Sequence, residues 1–193
     1  MRRNRANTVR IVGGRWRSRI LRFPAFPDLR PTPDRVRETL FNWLGQDLTG
    51  AACLDLFAGS GALGFEALSR GAASVVMVEK EPRALAALRE NAKTLGAANL
   101  TIVRGDALEF ARGARSRFDV VFVDPPYRLG LGAPALALVK GLLAEGGRVY
   151  VESDTAVESS RDWIALKHAR AGNVHFHLLG RQPDDQGGVS GNV

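Results

Sequence analysis

Residues 51–79, "AACLDLFAGSGALGFEALSRGAASVVMVE", decide the fold of this chain. An apolar run leads into three glycines, Gly59, Gly61 and Gly64, and an apolar helical stretch and a second apolar run ending at Glu79 follow. A strand, a glycine-rich turn, a helix and a second strand in this order are typical of a βαβ unit that binds an adenosine cofactor. The G-x-G-x-x-G spacing alone fits two cofactors, a nicotinamide dinucleotide and S-adenosylmethionine.

Short apolar runs alternate with helical patterns along the rest of the chain. We predict strands at 52–57, 74–79, 100–104, 118–123 and 147–152, and helices near 61–70, 82–95, 106–112 and 134–144. Two more strand-like runs in residues 162–181, joined by "AGN", predict an antiparallel hairpin. Strands that are apolar on both faces indicate a parallel sheet covered by helices on both sides. The predicted fold is α/β and Rossmann-like, with a seven-stranded, mostly parallel sheet whose last strand is antiparallel.

Acidic side chains lie at the predicted edge where open α/β sheets bind ligands. Asp55 lies inside an apolar strand, where an unpaired carboxylate is costly. Glu79 is suited to accept hydrogen bonds from both hydroxyls of a ribose, and Asp106 follows the third strand, where an adenine ring would lie. Asp106 also suits the N-cap of the next helix, and the two roles are compatible. The predicted cofactor-binding residues are Asp55, Phe57, Ala58, Gly59, Gly61, Glu79, Lys80, Asp106 and Ala107.

The stretch "FDVVFVDPPYRLG" (118–130) favours one of the two cofactors. Its apolar strand delivers Asp124 to the carboxyl edge of the sheet, and two prolines stiffen the following turn. Hydrogen bonds from an exocyclic amine to the Asp124 carboxylate and the Pro125 carbonyl would aim the nitrogen lone pair at a sulfonium methyl group, while Tyr127 stacks on the base. A dehydrogenase has no comparable use for this motif, which therefore favours S-adenosylmethionine. The predicted catalytic residues are Asp124, Pro125, Pro126 and Tyr127.

The excess positive charge is concentrated in the first quarter of the chain. Residues 1–50 carry 11 arginines and four acidic residues, which accounts for the whole net charge of +7. Basic charge on a segment that folds favours a polyanionic partner. We expect a hairpin over "VRIVGGRWRSRILRF" (9–23), turning at Gly13 and Gly14. The apolar positions expected to be buried in it are Val9, Ile11, Trp16, Ile20 and Leu21.

A helix is predicted after the hairpin, over "PDRVRETLFNWLGQ" (33–46). Thr32 is a suitable N-cap for it, and Pro33 a suitable first helical residue. The stripe expected to face the core consists of Val36, Leu40, Trp43 and Leu44. Arg35 and Arg37 fall outside that stripe, and we expect both on the exposed face.

Five stretches together resemble one known family: "RIVGGRWRSRIL", "LRPTPDRVRETLFNWL", "LDLFAGSGALGFEALSRGA", "VFVDPPY" and "YVESD". The chain looks like a member of the RsmD family of bacterial 16S ribosomal RNA guanine-N2 methyltransferases, from about residue 9 to residue 181. The resemblance implies a class I S-adenosylmethionine-dependent methyltransferase with S-adenosyl-L-methionine as its cofactor. It also implies methyl transfer to N2 of one guanine in 16S rRNA, with the small ribosomal subunit as partner.

An RNA substrate gives the N-terminal segment a role, because arginines can hold phosphates around a base that is flipped into a cleft. The predicted RNA-binding residues are Arg10, Arg15, Arg17, Arg19, Arg22, Arg30, Arg35 and Arg37. We divide the chain into a basic extension (1–30), a methyltransferase domain (31–181) and a disordered tail (182–193), with residues 1–8 also disordered. No apolar run reaches the length of a membrane span, and we expect a cytoplasmic monomer.

Two rival functions remain on the sequence alone. The Asp-Pro-Pro-Tyr motif also serves adenine-N6 DNA methyltransferases, although the chain has no sizeable insertion for recognising a DNA target. A non-catalytic RNA-binding protein on the same scaffold is the second rival. Intact Asp55, Glu79, Asp106 and Asp124 argue against it, because a scaffold without a cofactor has no need of four carboxylates.

The few cysteines and histidines point to no further chemistry. Cys53 is the only cysteine, so an intramolecular disulfide is excluded, and we expect it to be buried in a strand. His175 and His177 share one face of a strand, and His168 lies on the preceding strand. Without carboxylate or cysteine ligands nearby, we expect solvated strand residues and no metal site.

Overall fold

The structure is a computed structural model that describes residues 7–25 and 31–182. Within these ranges, seven strands form one sheet and two strands form a separate hairpin. None of the helices in the described chain has the length and apolar character needed to cross a membrane. Arg30 and most of the two segments predicted to be disordered lie outside the described residues.

A small antiparallel hairpin opens the described chain. Its strands are β1 (Asn7–Arg10) and β2 (Ile20–Phe23), so the first residues of β1 are ordered where disorder was predicted. A short 3-10 helix (Gly14–Trp16) connects the strands, where a tight turn at Gly13 and Gly14 was expected. Gly14 has φ +73°, and a Cβ there would lie 1.9 Å from the carbonyl oxygen of Ser69. The hairpin therefore depends on a glycine at its contact with the rest of the chain.

Helices and strands alternate from residue 34 onward. They are α1 (Asp34–Trp43), β3 (Ala52–Asp55), α2 (Ala62–Ser69), β4 (Ser74–Glu79), α3 (Pro82–Leu95), β5 (Leu100–Arg104), α4 (Ala107–Gly113), β6 (Phe118–Val123), α5 (Gly132–Val139), β7 (Leu143–Ser153), β8 (Trp163–Ala171) and β9 (Val174–Arg181). The sheet order is β5-β4-β3-β6-β7-β9-β8. Neighbouring strands from β5 to β7 are parallel, whereas β9 is antiparallel to both β7 and β8. The predicted sheet is confirmed, and its antiparallel last strand lies inside the sheet between β7 and β8.

Several element boundaries differ from the prediction. β3 ends at Asp55, two residues early, because the glycine turn begins there. The helix expected at 134–144 is α5 followed by a 3-10 turn, Lys140–Leu142, and β7 begins directly after it at Leu143. The β8–β9 hairpin turns at Gly172, which has φ +63°. The predicted closing hairpin is therefore confirmed.

The sheet separates two apolar cores. β6 shows the alternation, because Phe122 packs in the core that holds the hairpin, α1, α2 and α3, while Val121 and Val123 pack in the core under α4 and α5. Both faces are covered, as parallel sheets require. The carboxyl ends of β3 to β7 are thereby left as the edge where ligands can reach the strands.

The N-terminal hairpin belongs to the first of these cores. The backbone N–H of Trp16 donates to Ser69 Oγ at 2.9 Å, and Asn91 bonds both the N–H and the carbonyl of Arg22, at 3.1 and 2.9 Å. One expectation for its side chains is wrong, because Ile20 is 47% exposed and Phe23 takes the inward position at 2%. Alternation along β2 explains the difference, since Leu21 and Phe23 share one face.

α1 corrects two predictions about the segment before the sheet. The helix begins at Asp34, and neither Pro33 nor Thr32 caps it with a side chain. Arg37, expected on the exposed face, has no exposed surface. Its guanidinium donates to Glu66 Oε2 at 3.0 Å, to the carbonyl of Thr32 at 3.1 Å and to the carbonyl of Arg10 at 2.7 Å. Arg37 is thus a buried structural residue, and no phosphate can reach it.

Candidate active site

The glycine turn after β3 is held in a left-handed conformation. Gly59 has φ +50° and Gly61, the N-cap of α2, has φ +77°. A Cβ on Gly61 would lie 2.6 Å from Cδ2 of Leu88, so both backbone angle and space require glycine there. The N–H of Gly59 donates to Glu79 Oε2 at 2.8 Å, which joins the turn to the end of β4. The loop and the adjacent strand end therefore form one rigid floor at the carboxyl edge of the sheet.

Asp55, the last residue of β3, binds the first turn of α2, which directly follows the glycine turn. It is 2% exposed, and its Oδ2 accepts a hydrogen bond from the N–H of Gly64 at 3.0 Å. Burial raises the pKa of Asp55 to about 7, and the nearby Glu79 carboxylate adds to the increase. The hydrogen bond from Gly64 opposes both effects. A Cβ on Gly64 would lie 2.4 Å from Cε of Met77 and 3.2 Å from Asp55 Oδ2. Gly64 is therefore required for packing of α2 against the strands.

Two carboxylates lie at the ends of adjacent strands beside the turn. Glu79 closes β4, and its Oε1 accepts from the N–H groups of Lys80 and Glu81, both at 2.8 Å. Asp106 follows β5 and caps α4 by accepting from the backbone N–H of Leu108 at 2.9 Å, so its predicted capping role is confirmed. Both side chains keep exposed surface. Ribose hydroxyls and an adenine amine are hydrogen-bond donors, and this acceptor set fits an adenosine group.

The remaining residues predicted for the cofactor surround the same edge. Lys80 is exposed, and its Nζ lies 3.7 Å from Asp106 Oδ2. Phe57 is half-buried, and Ala58 and Ala107 are buried. The structure thus brings the predicted set together around the ends of β3, β4 and β5, and their binding of a cofactor stays a prediction.

Asp124 follows β6 at the same edge of the sheet and is tied to the segment before α1. Its Oδ2 accepts a hydrogen bond from the hydroxyl of Thr32 at 3.2 Å. Burial raises the pKa of Asp124 well above its ordinary value, the carboxylates of Glu152 and Asp55 raise it further, and the Thr32 hydroxyl opposes them. A carboxylate with raised pKa at a strand end is suited to accept a proton.

The turn after Asp124 continues into a short 3-10 helix. Pro125 is buried and Pro126 is exposed, and a 3-10 turn follows over Tyr127–Leu129. The N–H of Leu129 donates to the carbonyl of Pro126 at 3.0 Å. Leu129 itself is an apolar side chain that is 55% exposed. Stacking of Tyr127 on a base stays a prediction.

The sequence did not predict that two residues, Thr32 and Glu152, would act on Asp124. Thr32 was assigned to a helix cap, and its hydrogen bond to Asp124 joins positions 92 residues apart. Glu152 is 6% exposed near the end of β7, and its Oε1 accepts from the hydroxyl of Tyr150 at 2.7 Å. The signal for Glu152 was its position, because an acidic residue that ends an apolar strand lies at the carboxyl edge of a parallel sheet.

Five arginines of the N-terminal hairpin, here called the hairpin arginines, are exposed as predicted: Arg10, Arg15, Arg17, Arg19 and Arg22. Arg10 pairs with Asp34 at 2.9 Å, and the guanidinium of Arg15 lies 4.3 Å from the ring centroid of Trp16. Arg35 is also exposed. Of the five hairpin arginines, only Arg10 forms an ion pair within the described chain. The other four can contact phosphates without first breaking an ion pair.

Known proteins share both the sequence and the fold. A curated relative from Escherichia coli K12, named "Ribosomal RNA small subunit methyltransferase D", is 44% identical over 181 residues, 90% of either chain. A relative of the same name from Haemophilus influenzae is 38% identical over 183 residues, 91% of this chain and 95% of that one. A solved structure described as "Putative methyltransferase yhhF from Escherichia coli" has a TM-score of 0.82 at 43% identity, and covers 91% of this chain and 99% of its own.

The sheet order, the glycine turn and the Asp-Pro-Pro-Tyr turn, together with these likenesses, define the chain as a class I methyltransferase. A family model described as "Conserved hypothetical protein 95" matches residues 9–180. The chain belongs to the RsmD family of methyltransferases. The sequence-based prediction of family, fold and enzyme class is therefore confirmed.

Proposed function

We propose that this methyltransferase transfers a methyl group from S-adenosyl-L-methionine to the exocyclic N2 of one guanine in 16S rRNA of the small ribosomal subunit. The observation that carries the proposal is Asp124, a carboxylate fixed by Thr32 at the carboxyl end of β6 and followed by two prolines. The names of the relatives, which refer to small-subunit ribosomal RNA, support the choice of substrate.

S-adenosylmethionine supplies an electrophilic methyl group on a sulfonium sulfur. In our proposal, Glu79 accepts from the ribose hydroxyls and Asp106 accepts from the adenine amine, while Asp55 fixes the glycine turn through Gly64. In the structure, Glu79 accepts hydrogen bonds from the backbone N–H groups of Gly59 in the turn and of Lys80 after β4. One carboxylate oxygen accepts more than one hydrogen bond, so ribose binding is compatible with these contacts.

Asp124 has two tasks at the target nitrogen. The amine of guanine is a poor nucleophile because its lone pair is delocalised into the ring. Hydrogen bonds from its two N–H groups to the free oxygen of Asp124 and to the Pro125 carbonyl favour a pyramidal nitrogen with a directed lone pair. When the nitrogen forms its bond to the methyl carbon, the bond from that carbon to the sulfonium sulfur breaks and the sulfur leaves as a neutral thioether. The nitrogen becomes cationic and loses one proton, which Asp124 receives. The raised pKa of Asp124 favours this proton transfer. Positioning thus supplies most of the catalysis, with no covalent intermediate.

We propose that residues 1–30 serve as the RNA-binding extension of a methyltransferase domain spanning 31–181. The exposed hairpin arginines and Arg35 contact phosphates, and the target base is flipped toward Asp124. Arg37 is left out of this set because it is buried against Glu66. The extension shares its core with the domain, so binding of RNA and binding of the cofactor take place on one folded unit.

The test is transfer of labelled methyl groups to small ribosomal subunits, naked ribosomal RNA and double-stranded DNA in parallel, followed by identification of the modified base. We expect N2-methylguanine in 16S rRNA. Label on adenine N6 in DNA would replace the proposal by its DNA-methylating rival. Cofactor-independent RNA binding with no label in any substrate would favour a non-catalytic scaffold.

A further inference from the structure

The outer hairpin of the sheet gathers all three histidines of the chain. His168 on β8 lies directly opposite His177 on β9, and His175 precedes His177 by two residues on the same face. Each ring offers one nitrogen, and these three nitrogens all lie within 4.8 Å of one another. We propose that His168, His175 and His177 form a binding site for one divalent transition-metal ion, of which Zn²⁺ is the type. The proposal does not rest on the proposed function.

Two of the nitrogens already have nearly the separation that a metal ion requires. Nε2 of His168 and Nδ1 of His175 lie 3.0 Å apart, and their ring planes differ by 3°. Zinc–nitrogen bonds of about 2.0–2.1 Å in a tetrahedral site hold two nitrogens roughly 3.3 Å apart. In the metal-free pair, the ring N–H of one histidine donates a hydrogen bond to the ring nitrogen of the other. On binding, the donor ring moves that proton to its other nitrogen through water, so both imidazoles bind as neutral ligands.

The third ring has an unmet hydrogen-bonding requirement. His177 is 1% exposed, and its Nε2 accepts a hydrogen bond from the backbone N–H of Val157 at 3.0 Å. Its ring proton must then be on Nδ1, which is buried and has no hydrogen-bond partner within the described chain.

Binding requires a defined rearrangement. A metal ion lies in the plane of each imidazole that holds it, whereas the rings of His168 and His177 are stacked at 4.4 Å between centroids and 9° between planes. His168 is exposed and His175 is half-buried, so both rings can turn without disturbing a core. For His177, either Nε2 binds the ion directly or its proton moves there from Nδ1. In both cases Nε2 no longer accepts from Val157, and that amide loses its partner.

The donor set selects the class of metal. Three neutral imidazoles suit Zn²⁺, Co²⁺, Ni²⁺ and Cu²⁺, whereas Mg²⁺ and Ca²⁺ prefer oxygen ligands. The exposed edge at His168 leaves a fourth position for water. Cys53, the single thiol, is fully buried and burial raises its pKa to about 12, so it does not compete for the ion.

The experiment is titration of the full-length, untagged, chelator-treated protein with Zn²⁺ by calorimetry and with Co²⁺ by visible absorption. We expect one ion per chain and a tetrahedral cobalt spectrum. His168→Ala and His175→Ala should each weaken binding by at least about tenfold, because each removes one ligand. Lys167→Ala, an exposed neighbour on β8, is the matched control and should bind like the wild type. Absence of saturable binding by the wild type, or wild-type affinity in both histidine variants, overturns the proposal.

Val157 supplies a second readout that does not depend on the affinity. Zn²⁺ should shift the amide resonance of Val157 and speed its hydrogen exchange in the wild type. The same addition should leave that amide unchanged in the double variant His168→Ala/His175→Ala. A saturable zinc effect elsewhere in the chain, with the Val157 amide unmoved in the wild type, would contradict ligation by His177.

Discussion

The hydroxyl of Thr32 donates to Oδ2 of Asp124 at 3.2 Å. Thr32 is 4% exposed, and its backbone carbonyl accepts from the buried guanidinium of Arg37. One carboxylate oxygen of Asp124 is thereby occupied by a hydrogen bond from the segment before α1. The segment before α1 thus holds the carboxylate that our proposal places at the target nitrogen.

Thr32→Val keeps the shape of the side chain and removes its donor. We expect the rate of methyl transfer to fall by about 10- to 100-fold, since a hydrogen bond to a charged group contributes roughly 1.5–3 kcal/mol. Single-turnover kinetics with small ribosomal subunits measure the loss. Thr32→Ser should restore most of the rate, and S-adenosylmethionine affinity should be unchanged in both variants. A fully active Thr32→Val protein would show that the hydrogen bond has no part in positioning Asp124.

Asp124→Ala should abolish methyl transfer and keep cofactor binding. In the wild type, the raised pKa of Asp124 means that the carboxylate becomes available only as the pH rises through that raised value. The transfer rate should therefore increase with pH along a limb that lies above the ordinary range of aspartate. The transfer rate measured against pH under single-turnover conditions tests this dependence. A rate that rises around the ordinary aspartate pKa would contradict the raised pKa of Asp124.

Neutralising two hairpin arginines should change the salt dependence of RNA binding. For Arg17→Gln/Arg22→Gln, we expect weaker binding and a slope of log affinity against log salt reduced by about 1 to 2, because each lost phosphate contact removes roughly one unit. Filter binding over a range of salt concentrations measures the slope. Arg112→Gln/Arg115→Gln, on exposed residues at the end of α4, is the matched control and should keep it. Equal slopes in the two double variants would exclude the hairpin as the phosphate-binding surface.

Arg35 and Arg37 lie two residues apart on α1 and should behave in opposite ways. Arg37→Met leaves the buried Glu66 with one fewer cationic partner, and we expect the free energy of unfolding to fall by about 3 kcal/mol. Arg35→Met should leave stability within about 0.5 kcal/mol of the wild type, since the side chain is exposed. Urea denaturation measures both. A stable Arg37→Met protein that has lost only RNA affinity would return Arg37 to the phosphate-binding set.

Asp55 should make the cofactor-free protein less stable as the pH rises. Its pKa is about 7 in the folded chain and has an ordinary value of 3.8, so between these values the folded state binds more protons than the unfolded state. The free energy of unfolding therefore falls as the pH rises through this range. Relative to Asp55→Asn, we expect the wild type to lose about 2 to 3 kcal/mol between pH 5 and pH 8. Parallel pH dependence in the two proteins would contradict the raised pKa.

Sequence periodicity predicted the sheet well because its signals are local. The runs at 74–79, 100–104 and 118–123 coincide with β4, β5 and β6. Apolar runs of five or six residues that are flanked by turn residues and rich in β-branched residues indicate strands from the local sequence. The site residues Asp55 and Glu79 came from the same local patterns, because their motifs are contiguous in the chain.

The failures at Arg37 and Thr32 involve partners that are distant in sequence. Arg37 was expected to be exposed because an arginine outside an apolar stripe usually is, and its burial depends on Glu66, 29 residues away. Threonine is a residue type that often caps helices, and only the folded chain brings Thr32 to Asp124. Propensity cannot detect a charge pair or a hydrogen bond that the tertiary structure creates.

The docking of the N-terminal hairpin has a consequence for the order of folding. The hydrogen bonds of Val12, Trp16 and Arg22 reach residues 54, 53 and 69 positions later in the chain. The hairpin therefore leaves the ribosome before α2 and α3, and it cannot pack until both have been made. A nascent chain acquires the surface of the hairpin arginines only together with α2, which follows the glycine turn, and α3. If the hairpin arginines bind RNA as we propose, a partly synthesised chain cannot bind RNA with this surface before the glycine turn and α2 have been made.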